Sequence, residues 1–227
     1  MQKFDLGKCD IRELNQALHD VPADSSEQFQ IINPNGKHSV AVGVNAPVSI
    51  SVDGHVGYYC AGMNQHANIT VNGNAGPGLA ENMMSGSVRV KGNASQYCAA
   101  TAHGGLVIVE GDASARCGIS MKGVDIVVGG SVGHMSAFMA QSGRLVVCGD
   151  AGDALGDSLY EARIYVRGEV KSLGADCIEK DMKDEHLNEL RELLDKAGMP
   201  EVDTGEFHRY GSARNLYHFN IDNAAAY

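Results

Sequence analysis

A short pattern of apolar and polar positions recurs seven times between residues 50 and 168. Each copy has an apolar residue, a variable one, a valine, another variable one and a glycine. The glycines run from Gly54 to Gly168, and neighbouring glycines are always 19 residues apart. The central valines are Val52, Val71, Val90, Val109, Val128, Val147 and Val166. A fixed period of this length is the signature of a repeat architecture.

The alternation within each copy predicts a strand with one buried face. One such strand cannot bury its apolar face alone, so successive copies must stack in parallel. The sequence therefore predicts an all-β fold, a right-handed parallel β-helix of about seven 19-residue coils over residues 50–176. Each closing glycine allows the backbone to turn where a Cβ would clash.

The regions on either side of the repeat lack this pattern. Residues 1–49 are predicted to cap the first coil with a short helix at 11–19, which Asp10 and Glu13 would begin, and strands at 29–32 and 39–44. Residues 177–198 have the apolar spacing of an amphipathic helix, which Gly198 ends. Residues 199–227 are predicted to be an extended docking tail.

The middle residue of each strand should face outward. It is polar in the first three copies and apolar in the last four, namely Ile108, Val127, Val146 and Tyr165. An outward apolar ridge is seldom left in water, so either the 177–197 helix or another subunit should cover it. The candidate partner interface therefore combines these four residues with tail residues, which are Phe207, Tyr210, Arg214, Tyr217 and Phe219.

The composition narrows the possible partners and the location. A formal net charge of −10 argues against nucleic acid and against an anionic membrane surface. The sequence has no apolar run of transmembrane length and begins without a signal peptide. Its six cysteines lack pairing spacings, which is typical of reduced thiols and predicts a cytoplasmic location.

The sequence contains no recognisable catalytic, cofactor-binding or metal-binding motif. The nine histidines and six cysteines lack metal-ligand spacing. Gly149, Gly152 and Gly156 resemble a phosphate loop but lack its Lys-Ser/Thr ending, so they are interpreted as structural corners of a coil. A stand-alone β-helix enzyme acting on polysaccharide, or an acyltransferase, remains an alternative, with Asp153, Asp157 and His134 as its candidate residues.

The glycine positions resemble those of the GXGXG domain. The clearest copy is Gly149-x-x-Gly152-x-x-x-Gly156, and the partial copies begin at Gly54, Gly73 and Gly130. This domain forms the C-terminal region of the glutamate synthase large subunit and a subunit of formylmethanofuran dehydrogenase. The resemblance covers roughly residues 30–176 and implies a right-handed β-helix of about seven turns. The second glycine is replaced in three copies, by Ser95, Ser114 and Lys171.

A free-standing chain with the tail Phe207-His-Arg-Tyr-Gly-Ser-Ala-Arg-Asn-Leu-Tyr-His-Phe219 looks most like the separate GXGXG subunit of glutamate synthase or N-methylglutamate synthase complexes. That resemblance implies a non-catalytic subunit of a hetero-oligomer. It would hold a glutaminase-like amidotransferase subunit and an FMN-binding synthase subunit together. No cofactor is expected in this chain, whereas FMN and an iron–sulfur cluster are expected in a partner. The alternative within the family is the formylmethanofuran dehydrogenase subunit.

Overall fold

A computed structural model of the chain describes residues 1–216, which form one sheet and two helices. The helices are α1 (Ile11–His19) and α2 (Asp184–Ala197). The strands are β1 (Gln2–Asp5), β2 (Gln28–Ile32), β3 (Ser49–Asp53), β4 (Asn68–Val71), β5 (Ser87–Val90), β6 (Leu106–Val109), β7 (Lys122–Val128), β8 (Ser142–Val147), β9 (Arg163–Val166), β10 (Cys177–Lys180) and β11 (His208–Ser212).

The sheet is a stack of coils in which each strand pairs with the next along the chain. β1 to β9 are parallel and in sequence order, and β11 and β10 then follow in antiparallel pairing. Val52 pairs with Val71, and the same register continues to Val166. All seven valines are fully buried. The predicted all-β parallel solenoid of about seven turns is confirmed.

A second buried ladder runs through the residue two places after each closing glycine. It links Val56, Ala75, Ala94, Ala113, Val132, Ala151 and Val170 by isolated parallel bridges. Because the two ladders face one core, each coil buries apolar side chains from two sides.

The inner corner of each coil has left-handed backbone. Ala61, Ala80 and Ala99 have φ of 53–56°, and Gly118 and Gly156 have φ of 69° and 65°. The three alanine side chains are fully buried, and a Cβ on Gly118 or Gly156 would meet core side chains. Small residues are needed here because larger side chains at positive φ would meet both backbone strain and core crowding.

Gly149 and Gly152 are needed because adjacent coils approach one another closely. A Cβ on Gly149 would lie 2.5 Å from Ser131 Oγ in the preceding coil, and one on Gly152 would lie 2.8 Å from the backbone nitrogen of His134. The interpretation of these glycines as structural therefore has a specific cause, contact between adjacent coils.

A polar column ties the coils together. Asn74 Oδ1 accepts from the Asn93 N–H at 2.9 Å, and Asn93 Oδ1 accepts from the Asp112 N–H at 2.9 Å. The same bond over 19 residues recurs with His55, Asp112, Ser131 and Asp150 as acceptors. Each side chain thus satisfies a backbone donor in the next coil, rather than one in its own turn as Asn and Asp often do.

The N-terminal end differs from the prediction in one segment. Helix α1 has the predicted capping box, in which Glu13 Oε2 accepts from the Asp10 N–H at 3.4 Å, and Asp10 Oδ1 also accepts from the Arg12 N–H at 2.8 Å. The predicted strand at 39–44 is wrong, because Ser39, Ala41 and Gly43 have φ of 56°, 53° and 68° and form turns. The parallel ladder already includes β1 and β2, so the stack begins well before residue 50.

The C-terminal end closes the stack with antiparallel strands. The segment 177–180 is β10 rather than the first turn of a helix, and α2 begins only at Asp184. β11 pairs with β9 on one side and with β10 on the other. The part of the predicted tail that forms β11 therefore docks on its own chain.

Candidate functional site

The outward apolar ridge lies beneath α2 of the same chain. Ile108 is 3% exposed, and Val127, Val146 and Tyr165 are 0% exposed. They form one apolar cluster with residues of α2 and its flank, which are Leu190, Leu193, Leu194, Ala197 and Phe207. The four ridge residues are therefore not a partner interface, since the helix already removes them from water.

The sequence of α2 suits this position. Leu190, Leu193, Leu194 and Ala197 recur at the three- and four-residue spacing of one helical face. Gly198, at φ 73°, ends the helix in the left-handed conformation. Arg89 Nη2 donates to the carbonyl of Ala197 at 3.0 Å, which satisfies one of the last carbonyl groups.

Glu189 is the polar anchor of α2 on the sheet. Its carboxylate accepts from Arg163 Nη1 at 2.6 Å and from the Tyr165 hydroxyl at 2.6 Å. Arg144 Nη1 lies 3.2 Å from the same carboxylate, and Arg144 Nε also donates to Asp125 at 2.6 Å. Burial, and then the bond to Glu189, raise the pKa of Tyr165, which stays a neutral donor.

The tail residues predicted to meet a partner have three different positions. Phe207 is buried in the cluster under α2, and Tyr210 is buried in the main core. Neither is open to a partner, because Phe207 packs under α2 and the β11 residue Tyr210 packs in the main core. Arg214 is exposed and lies 3.1 Å from Glu161. Tyr217 and Phe219 lie outside the described residues.

The large apolar side chains that remain exposed lie elsewhere on the coils. Tyr58, Met63, Met84 and Met139 are 39–48% exposed. The ring of Tyr58 lies 5.4 Å from that of Tyr59. The other exposed large apolar residues within residues 1–216 are Met1, Leu173, Ile178 and Leu216.

The cysteines are buried thiols. All six are free, and five are buried, while Cys9 is partly exposed. Burial raises the pKa of Cys60 to about 12. A hydrogen bond with Cys98, and then burial, raise the pKa of Cys117 well above its usual value. Thiols in this state behave as small apolar side chains.

The carboxylates considered for catalysis are engaged in local bonds. Asp153 lies 2.7 Å from Lys171 Nζ, and this bond is the main reason that its pKa is lowered. Asp157 accepts from the Ser158 hydroxyl at 2.6 Å and from the Ala175 N–H at 3.1 Å. A general acid needs the opposite shift, a raised pKa, so Asp153 does not have the required character.

Residues 1–216 contain neither a metal-binding cluster nor a helix able to span a membrane. In that part of the chain, no group of three or more His, Cys, Asp or Glu is placed to hold a metal ion. Neither helix there has the length and apolar character needed to cross a bilayer.

A basic cleft of about 310 Å³ lies between the N-terminus of α2, β11 and the coil corner before β9. Five basic and two acidic side chains line it, in a chain whose net charge is −10. Lys180, Lys183 and Arg209 belong to it, together with the buried His186. Burial is the main cause of the lowered pKa of His186, which favours the neutral ring.

The sequence analysis missed both the anchor of α2 and the basic cleft. Asp125, Arg144 and Arg163 are spaced by 19 residues, so a search for charges along the repeat would have found three of the four charged residues of the anchor. No such signal exists for the cleft. Lys180 and Arg209 come together only because β10 and β11 pair in antiparallel fashion.

Comparison with known proteins gives one informative result. No family model matches the chain, and no solved structure matches it. The chain is similar to Protein GlxC of Rhizobium meliloti (strain 1021), with 62% identity over 228 residues. The alignment covers 100% of this chain and 100% of that protein. The chain therefore belongs to the family of Protein GlxC.

Proposed function

We propose that the chain is a non-catalytic structural subunit of a glutamate-synthase-like complex, either a glutamate synthase or an N-methylglutamate synthase. In this role it holds a glutaminase-like amidotransferase subunit and an FMN-binding synthase subunit together. FMN and an iron–sulfur cluster would belong to a partner. The complex would be a cytoplasmic hetero-oligomer.

The observation that carries the proposal is that the repeated residues all serve to hold the coils together. The valines fill the core, the glycines admit the preceding coil, and the Asn and Asp column bonds the next coil. The repeat is thus devoted to holding a rigid stack, which suits a part that positions other proteins. The end-to-end similarity to Protein GlxC supports a free-standing subunit of this size.

Copurification with the two partner subunits tests the proposal. The tagged full chain is co-expressed with a glutaminase-like subunit and an FMN-binding synthase subunit. We expect a stable complex with flavin absorbance and glutamine-dependent synthase activity. We also expect that omission of this chain separates the other two subunits and that the chain alone has no turnover. Elution of this chain by itself in every combination would contradict the proposal.

Truncation after Leu216 tests whether residues 217–227 contribute to the complex. This variant keeps β11, whose pairing with β9 and β10 would be lost if the whole segment 207–227 were removed. A weaker complex with an unchanged thermal unfolding midpoint is expected if the tail contacts a partner. The substitution Thr70→Ser, at a half-buried polar position distant in sequence from the tail, is the matched control.

A further inference from the structure

The basic cleft has features of a binding site that the structural role does not use. Arg163 and Arg214 both pair with carboxylates, Glu189 and Glu161. Within residues 1–216, Lys180 and Lys183 are in no ion pair, and Arg209 donates only to the carbonyl of Asp181, at 2.9 and 3.0 Å. Three positive charges therefore remain without an acidic partner in an acidic chain.

The N-terminus of α2 adds to this unbalanced charge. Its N-cap position is Lys183, whereas Ser, Thr, Asp and Asn are preferred there because their oxygens accept from the first N–H groups. An ammonium group has no acceptor capacity, so the Lys183 side chain cannot cap the helix. Its positive charge also opposes the helix dipole. Such an arrangement is favourable when an anion occupies the same place.

His186 supplies a second, independent observation. Its side chain is only 8% exposed and lines the cleft. Nδ1 accepts from the Lys183 N–H at 3.2 Å, so the neutral ring carries its proton on Nε2. Among the described residues this Nε2–H donates no hydrogen bond. Glu185 Oε1 lies 3.7 Å from Nε2, beyond hydrogen-bonding distance, on a side chain that is 71% exposed. No fully buried side-chain nitrogen or oxygen in residues 1–216 lacks a hydrogen-bonding partner, so the unpaired Nε2–H is accessible at the surface of a ring that lines the positively charged cleft.

We propose that this cleft binds the phosphate group of a small molecule, with Lys180, Lys183, Arg209 and His186 Nε2–H as its donors. A phosphate dianion fits because it offers several acceptor oxygens to donors that converge from β10, β11 and α2. The cleft volume suits a small ligand rather than a folded partner. The inference does not depend on the proposed function, since it concerns the isolated chain.

The test is calorimetric titration of the full chain with inorganic phosphate, in which sodium chloride keeps the ionic strength constant. We expect saturable binding to the wild type, with half-saturation below about 10 mM. Lys183→Ser should weaken binding about fivefold or more, and Lys180→Gln with Lys183→Ser about tenfold or more. Lys196→Gln, which removes the same charge from the last turn of α2, should stay within about twofold.

The choice of serine separates binding from folding. Serine is a better N-cap than lysine, so Lys183→Ser should keep or raise the thermal unfolding midpoint while it weakens phosphate binding. No saturable binding by the wild type would overturn the proposal, as would an equal loss in Lys196→Gln. Binding of an oligo-glutamate peptide in the absence of phosphate binding would also overturn it, and would identify the cleft as a site for an acidic protein segment.

Discussion

The outer face of the sheet has two halves built on the same core. In both halves the valines stack at 19-residue intervals and are fully buried. The first half presents Ser51, Thr70 and Arg89 outward, and these side chains remain partly exposed. The second half presents Ile108, Val127, Val146 and Tyr165, and α2 covers all four. The inward residues therefore determine the stack, whereas the outward ones determine what packs on it.

The boundary between the halves is itself a contact with α2. Arg89, the last polar residue of the outward column, donates to Ala197 at the C-terminus of α2 and pairs with Glu110 at 3.0 Å. The helix ends where the apolar ridge ends. Burial of a leucine such as Leu190 contributes about 2 kcal/mol. Because α2 and the apolar ridge end at the same place, a shift of the helix along the sheet would expose such leucines, and this fixes its position.

The largest expected effect is from a charge placed under the helix. Val127→Asp should lower the free energy of unfolding by about 3–5 kcal/mol, because the carboxylate would be buried without a partner. The same change three coils earlier, Thr70→Asp, should cost less than about 1 kcal/mol because water reaches that position. Urea unfolding followed by circular dichroism gives both values. Equal losses would mean that the two halves do not differ as described.

A smaller effect is expected from the polar anchor. Glu189→Gln should lower the free energy of unfolding by about 1–2 kcal/mol, since Arg144 and Arg163 would lose a partly buried carboxylate. Glu192→Gln, an exposed change on the same helix, is the control and should be nearly silent. If the two variants have the same free energy of unfolding, the ion pairs of Glu189 do not hold α2 in place.

The smallest effect is a pH dependence in the polar half. Hydrogen bonds from Gln30, and then from Asn72, lower the pKa of Asp53 below its usual value. Because the folded pKa lies below the unfolded one, Asp53 stabilises the fold above about pH 4 and loses this contribution as the pH falls further. Between about pH 5 and pH 2, the free energy of unfolding of Asp53→Asn should therefore fall less steeply than that of the wild type. Asp24→Asn, on an exposed loop, should keep the wild-type slope.

The stack could be predicted from the sequence because its period repeats in every coil, but its ends could not. Residues 39–44 alternate like a strand, yet the alternation comes from left-handed residues at every second position. Ile178 has helical spacing with the leucines of α2, but it pairs with Gly211 across the sheet. Both errors have one cause, which is that long-range packing overrides a local pattern.

The candidate site was predicted only in part, for a similar reason. The sequence predicts an apolar, outward ridge, but it does not decide whether the chain's own helix or a partner covers it. Which of the two covers the ridge depends on whether α2 can reach it. The strands β10 and β11, which flank α2 in the chain, determine that. The basic cleft depends on the same strands, so no property of its individual residues marks it in the sequence.

Hydrogen–deuterium exchange of the isolated full-length chain tests most directly whether α2 belongs on the apolar half. The account predicts that amides of the last two turns of α2 exchange at least about a hundredfold more slowly than in an unfolded chain. In Val127→Asp this protection should be lost, while β3 and β4 keep theirs. Exchange of wild-type α2 at the rate of an unfolded chain would contradict the account, because the ridge would then be open to another protein.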